Sequence, residues 1–564
     1  MSVRKFAFVA TVSAVALATS GAFAHVATPD LQQRLESQLA NPHRLQERPF
    51  DAASPQQRRF TVFLKDGSAA SVATVEKYFQ AFGFKTTYMP HTNALRLDGT
   101  YAQAEAAGHF RYQVKTYPTG VSIPRLSTKA SFAPEVAGLI DHATFYVGPK
   151  MHPLHQFTRP GITDTTIPLQ GYGPPDYAKF LNIPTTVPGG SAPLDGTGSV
   201  IDIAACGNVS PSDFTFFQNL YKTYLTKAPT LKIIEVAPHN YPYYGVEPTL
   251  DVERVYGTAP GASINLYTIP DCTSSEWETM EAQILEDQAT TPADALTISY
   301  GTYEGVIDYY GLDTDYFTNQ SAGLAKLAAS GVTIFAASGD SGAFFYRAYD
   351  VNIHVDVSYP ASDPSVLGVG GTTLLSTGAG TANVKETAEY AWSGGGFSGS
   401  GGGVSSHFTA PSYQQHFLGL GPSAPKQVPD LAAIGDPYTG ATLAFTPCYW
   451  FENYPPTTPP TYYLSCFSTE VGAIGGTSAS SPTVAGVLAL IDQAAGARVP
   501  NVGKLIYKAA KVGAFNDITA GDNGFYKAKA RDATTNPTGY DNVTGVGTPN
   551  VTNLLKAAAA AAGG

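Results

Sequence analysis

This chain of 564 residues is poor in several residue types, and each scarcity excludes something. It has four cysteines, four methionines and three tryptophans, and only 14% of its residues carry charge. Cys206, Cys272, Cys448 and Cys466 show no CxxC spacing and no histidine pair nearby, which excludes a zinc site. Their even number fits disulfides in an exported chain, and pairing Cys448 with Cys466 would close a Pro-rich, aromatic surface loop. Basic residues are also scarce. With 34 Lys and Arg against 45 Asp and Glu the net charge is −11, and no concentrated basic face is found, so a nucleic-acid partner is excluded. After the first 24 residues no run approaches the roughly 20 uninterrupted apolar residues of a membrane helix, so the mature chain is expected to be soluble and free of membrane. A thinly charged surface repels itself little once its carboxylates are protonated, so the composition suits acidic surroundings.

The residues that are present divide the chain. MSVRKFAFVATVSAVALATSGAFA, residues 1–24, has Arg4 and Lys5, a short apolar core and AFA before His25, which reads as a secretory signal peptide. Residues 60–118 alternate as strand, helix, strand, strand, helix, strand, the split ferredoxin-like plan. GPKMHPLHQFTRPGITDTTIP, about 148–170, then reads as a linker suited to cleavage. Beyond it, near-continuous apolar strands such as SVIDIAAC, SINLYTI, ALTISYG and VTIFAASGD alternate with amphipathic helices. That pattern predicts an α/β fold, a doubly wound parallel sheet covered on both faces, with its chemistry at the carboxyl ends of the strands. WSGGGFSGSGGGVSS lacks the lysine and following helix of a phosphate cradle and reads as a close-approach loop. The terminal AAAAAAGG, within 557–564, reads as a frayed tail.

GGTSASSPTVAGVLALI places Ser478 at the start of an apolar helix, where a hydroxyl either caps the helix or acts as a nucleophile. A nucleophile needs a proton acceptor. A subtilisin arrangement would supply a strand aspartate, which Asp202 could imitate, and a histidine opening a helix at HGT. None of His239, His354, His407 and His416 has that context. GVEPTLDVERVYGTAPGA offers Glu247 and Asp251 instead, four residues apart and so on one helix face, with Pro248 tending to push Glu247 toward the cap. Two carboxyls that close share a proton, and one is held protonated above its ordinary pKa, so the pair can accept a hydroxyl proton in acid. Away from such a partner they would be an ordinary acidic helix start. SGDSGA sets Asp340 in a tight turn just past a strand, where a neutral carboxyl would donate to an oxyanion.

These three segments, in this order, resemble the sedolisin family of serine-carboxyl peptidases. DVERVYGTAPGASINLYT, GGGVSSHFTAPSYQQ, VPDLAAIGDPYTGA, FNDITAGDNG and GYDNVTGVGTPN extend the resemblance along the chain, and residues 60–118 are similar to the family's propeptide. The resemblance implies a subtilisin-like catalytic domain over 161–556 and a propeptide over 25–160 that serves as intramolecular chaperone and inhibitor. It implies a secreted or periplasmic endopeptidase, monomeric, made as a self-processing zymogen and acting on polypeptides at low pH. Ser478 would be the nucleophile, Glu247 the general base and acid, Asp251 its proton-sharing partner and Asp340 the oxyanion donor. It also implies one structural calcium near the carboxyl end, held by Asp517, Ile518, Pro537, Gly539 and Asp541, with Pro537 standing where the family usually has glycine. Two rivals remain: a neutral subtilisin-type protease dependent on one of the four histidines, and a secreted binding protein on a dead peptidase fold. The second would be expected to lack an essential group, whereas all four are present.

Overall fold

The computed structural model describes residues 52–116, 122–148, 150–157, 171–238, 245–309, 315–344, 355–395, 398–446, 448–452, 462–466 and 469–562. The signal sequence 1–24 and residues 158–170, which include the expected boundary at 160, lie outside them.

The amino-terminal unit is built on strands β1 (Arg58–Leu64), β2 (Lys85–Met89) and β3 (Ala94–Gly99). Helices α1 (Ala69–Ala81) and α2 (Tyr101–Gly108) cover them, and α2 is started by a capping box between Thr100 and Gln103. Strands β4 (Tyr112–Thr116) and β5 (Ser122–Leu126) form a separate hairpin, and β6 (Ile140–Ala143) pairs antiparallel with β1. The sheet order is therefore β2-β3-β1-β6. This corrects the expected plan in one respect: the fourth seat belongs to 140–143, not to the strand at 112–116. Only Tyr112 of β4 is buried, so that strand has little apolar face to offer. The segment around β6 brings Ile140, Phe145 and Val147 into the aromatic core with Phe60, Phe79 and Phe84.

Two short extended pieces follow, β7 (His152–Pro153) and β8 (Gln156–Phe157). The large sheet then runs through β9 (Val200–Cys206), β10 (Thr230–Glu235), β11 (Ser263–Ile269), β12 (Ala295–Ile298), β14 (Thr333–Ala337), β16 (Val366–Thr377) and β17 (Lys385–Ala391). Between these lie β13 (Tyr300–Tyr303) and β15 (Ser358–Tyr359), outside that sheet. The order β10-β11-β9-β12-β14-β16 is parallel throughout, β17 closes the edge antiparallel, and β18 (Leu431–Ile434) adds a further parallel strand on β16. The expected doubly wound α/β class is the observed one. Helices α3 (Val246–Thr258), α4 (Ser274–Asp287) and α5 (Thr477–Ala495) flank it, and most of their residues are buried because helices pack on them in turn.

The two units meet along α4. Thr279 faces Thr61 and Thr144, His142 Nε2 is 2.6 Å from Glu278, Tyr146 donates to Glu278 at 2.6 Å, and Thr92 donates to the Ala282 carbonyl at 2.9 Å. Cys206 and Cys272 form a disulfide joining the carboxyl end of β9 to the turn after β11. Backbone register also sets Cys448 opposite Cys466 on an antiparallel hairpin, as the loop-closing pairing requires.

At the carboxyl end the expected frayed tail is corrected: α6 runs from Val551 to Ala562. Alanine has the highest helix propensity, and Val551, Leu554, Leu555 and Ala558 bury one face. Of that tail, residues 563–564 fall outside the described part.

Candidate active site

Gly476 precedes α5 with φ of +105°, a conformation that favours glycine, and a Cβ there would strike Leu154 O, the His155 Cα and Asp340 Oδ2. The turn thus delivers Ser478, fully buried, to the second position of α5. Its Oγ donates to the Ser299 carbonyl at 3.1 Å.

Glu247 and Asp251 sit on one face of α3, with Glu247 inside the first turn despite Pro248, since a proline is tolerated there. Both are buried. Burial pushes Glu247 well above the ordinary carboxyl range, and the neighbouring Ser478 hydroxyl offsets part of that rise. Burial and the adjacent Glu247 push Asp251 up as well, against a 2.5 Å hydrogen bond donated by Ser299 Oγ. Arg254, also buried, fixes α3 against α5: its Nε donates to Thr483 at 3.1 Å and its guanidinium lies 3.6 Å from the centre of the Tyr177 ring.

Asp340 closes the site. Its Oδ1 accepts from the Thr477 amide at 2.8 Å and the Thr477 hydroxyl at 2.9 Å, while Oδ2 has no hydrogen-bond partner among the described residues. Burial raises its pKa to about 8, so at acid pH a proton is carried there. The structure therefore brings Ser478, Glu247, Asp251 and Asp340 into one buried cluster.

Sequence reasoning missed a histidine. His155 Nδ1 is hydrogen-bonded to Glu247 Oε2, and both side chains are buried. Burial lowers the pKa of this imidazole to about 4. Only the four histidines beyond the linker were weighed from sequence, and this one lies in the segment read as the linker. The described part of that segment, residues 150–157, is not a solvent-exposed connector. Residues 152–153 pair antiparallel with Tyr300 and Gly301 of β13, and residues 156–157 pair antiparallel with β19 (Glu470–Gly475). Residues 152–157 find two strand edges to pair with, whereas composition alone predicts exposure. The Ser478 amide donates to Leu154 O at 2.9 Å, and the Leu154 amide donates to Ser299 O at 3.1 Å.

The other candidates lie apart. Asp202 is near the amino end of β9, where it accepts from Asn265 and Gln288 at 2.8 and 2.9 Å, so it cannot imitate the subtilisin aspartate. His407 pairs with Asp308, His416 bonds the Ser412 carbonyl, and His239 and His354 lie outside the described residues. Near the carboxyl end, Asp517 accepts from the Arg531 amide at 2.7 Å and Asp541 accepts from the Lys529 amide at 3.1 Å. Among the described residues no group of three or more His, Cys, Asp and Glu is placed to hold a metal.

A serine at the head of a buried helix, beside paired acids at one end of a parallel sheet, is the framework of a serine peptidase. Comparison with known proteins agrees. A family model described as the subtilase family matches residues 244–547. Kumamolisin of Bacillus sp. (strain MN-32) is 29% identical over 511 residues, covering 87% of this chain and 78% of that protein. Tripeptidyl-peptidase 1 of Homo sapiens is 29% identical over 335 residues, but the chain spans only 51% of its length. In fold, the chain is similar to Pseudomonas sedolisin, a serine-carboxyl proteinase solved with pseudo-iodotyrostatin. The TM-score is 0.52 and the identity 24%, with 69% of this chain and 98% of that one covered. The chain belongs to the subtilase family, is similar in sequence and fold to the sedolisin-type peptidases, and is a serine-type peptidase.

Proposed function

We propose that the protein is a secreted endopeptidase that acts in acid and is made as a zymogen that cuts itself. The observation that carries this reading is the hydrogen bond from the Ser478 amide to Leu154 O, within a segment paired on strand edges to either side of the serine. Such a segment is bound as a substrate would be, and it blocks the cleft while it stays there.

Ser478 Oγ attacks the peptide carbonyl, and its proton passes to Glu247, whose Oε1 has no hydrogen-bond partner among the described residues. Asp251 shares the proton load, and the rise of both carboxyls out of the ordinary range suits proton exchange in acid. The Ser478 amide and protonated Asp340 Oδ2 stabilise the oxyanion, Glu247 returns the proton to the leaving amine, and water releases the acyl-enzyme. Residues up to about 160 serve as the propeptide, substrates are polypeptides, and the mature enzyme works as an extracellular or periplasmic monomer. No helix among the described residues is long and apolar enough to cross a membrane.

A calcium ion fits the carboxyl-terminal loops. Asp517 and Asp541 accept from amides two residues apart, neither is ion-paired among the described residues, and burial raises Asp541 to about 6. Carboxylate and carbonyl oxygens suit a hard cation. Asp517 and Asp541, with the carbonyls of Ile518, Pro537 and Gly539, would hold it. A bound ion would neutralise the pair and tie the two loops together.

The test is a pH profile of protein digestion by the processed chain, alongside Glu247→Gln. Activity should be highest in acid and lost in the variant. An alkaline optimum, or full activity in the Glu247→Gln variant, refutes the proposal.

A further inference from the structure

We infer that Leu154–His155 is the first bond the chain cuts in itself, and that the pocket holding the Leu154 side chain selects leucine-sized apolar residues on the acyl side of the bond. This rests on the proposed self-processing and deepens it.

The register picks out one bond among those of the seated segment. Pairing with β13 ends after Pro153, and pairing with β19 begins at Gln156, so residues 154 and 155 span the gap between the two strand edges. Ser478 stands at that gap. Of the carbonyls there, Leu154 O receives the Ser478 amide at 2.9 Å, and it shares with Asp340 Oδ2 the space that a Cβ on Gly476 would fill. The oxygen thus lies between the two groups that would stabilise a developing oxyanion. On attack, a bond forms between Ser478 Oγ and the Leu154 carbonyl carbon. The bond from that carbon to the His155 nitrogen breaks, and the serine proton passes through Glu247 to that nitrogen, which leaves as an amine. Water then frees Leu154 as a carboxylate.

The same seating defines a pocket. Leu154 is 8% exposed, and its Cδ1 lies 3.2 Å from where a Cβ on Gly301 would sit. Ser358 Oγ and Tyr359 O (3.0 Å) crowd the same point. The leucine side chain therefore uses room that exists because residue 301 has no side chain. The hydroxyl and carbonyl beside it carry no net charge, so neither offers a counter-ion to an ionised side chain desolvated there.

The experiment acidifies purified full-length chain and follows intact mass and new termini with time. The first fragments should end at Leu154 and begin at His155. Leu154→Asp should slow that cut about tenfold or more, while Leu154→Met should preserve it. A first cut elsewhere, or a Leu154→Asp chain processed at the original rate, overturns the inference. The matured enzyme is then given a peptide series varied at the acyl-side residue. Leucine should lead Asp and Lys, and Gly301→Val or Gly301→Ala should shift preference toward alanine. If neither glycine variant folds, the ranking by the unaltered enzyme decides, and Asp or Lys at or above leucine overturns the pocket. Ser478→Ala separates the two levels. Fragments still formed by that pure variant refute the peptidase reading itself, whereas an active Ser478 that cuts first at another bond removes only this inference.

Discussion

Replacing Asp340 with alanine and with asparagine tests the oxyanion role in two directions. Oδ1 is committed to the Thr477 amide and hydroxyl at 2.8 and 2.9 Å, so Oδ2 is the atom left to carry a proton toward Leu154 O. Alanine removes that donor, and loss of one oxyanion donor lowers kcat about 10²- to 10³-fold, or roughly 2.7 to 4 kcal/mol. Asparagine keeps an acceptor for Thr477 and places an NH₂ where the protonated oxygen stood, so it should retain far more activity than alanine. It should also hold its activity above pH 8, if the rest of the site permits turnover there, because its donor does not titrate, whereas Asp340 has a pKa of about 8. The assay is kcat on an internally quenched peptide, with each variant first matured in trans by tagged unaltered enzyme that is then removed. Melting temperature confirms that the fold survives. Undiminished turnover in a folded alanine variant, or an asparagine variant as weak as alanine, would refute the reasoning.

Ser478→Ala, purified without other proteases, should remain full length in acid, as read by gel and intact mass; normal maturation would contradict this. The same inert chain should be most stable in acid. Asp202 and Glu389 have pKa values raised by burial to about 7, so between pH 4 and 7 the unfolded chain releases protons that the folded one retains, and stability falls across that window. Glu389→Gln should flatten part of the slope, because the Thr372 and Thr548 hydroxyls that donate to it can turn to suit an amide; a melting temperature that rises from pH 4 to 7 would refute this. Chelating calcium should lower the melting temperature, and Asp541→Asn should shrink that effect. An unmoved melting point would argue against the site.

Much of the catalytic sheet was legible because long apolar strands alternate with helices at two distinct periodicities. The acids of α3 were legible for a similar reason, since a spacing of four fixes a shared face. The fourth strand of the amino-terminal sheet was not, because YQVKT has strand character and only the packing of Ile140, Phe145 and Val147 shows which segment has an apolar face to bury. His155 was illegible for a deeper reason. Its meaning depends on pairing with β13 and β19, more than 140 and 310 residues away in sequence, and local composition holds no trace of that. The tail misled because low complexity suggests fraying, while alanine's own preference is helical.

The rungs that β13 and β19 offer to residues 152–157 are backbone groups, and backbone is common to every polypeptide. Once those rungs are vacated, admission to the groove depends first on a guest's ability to lie straight across both edges, and only then on what side chain it brings. A compact globule in water gives up no such length, so under the proposed function sourness would act twice, arming the acids inside and loosening the meal outside.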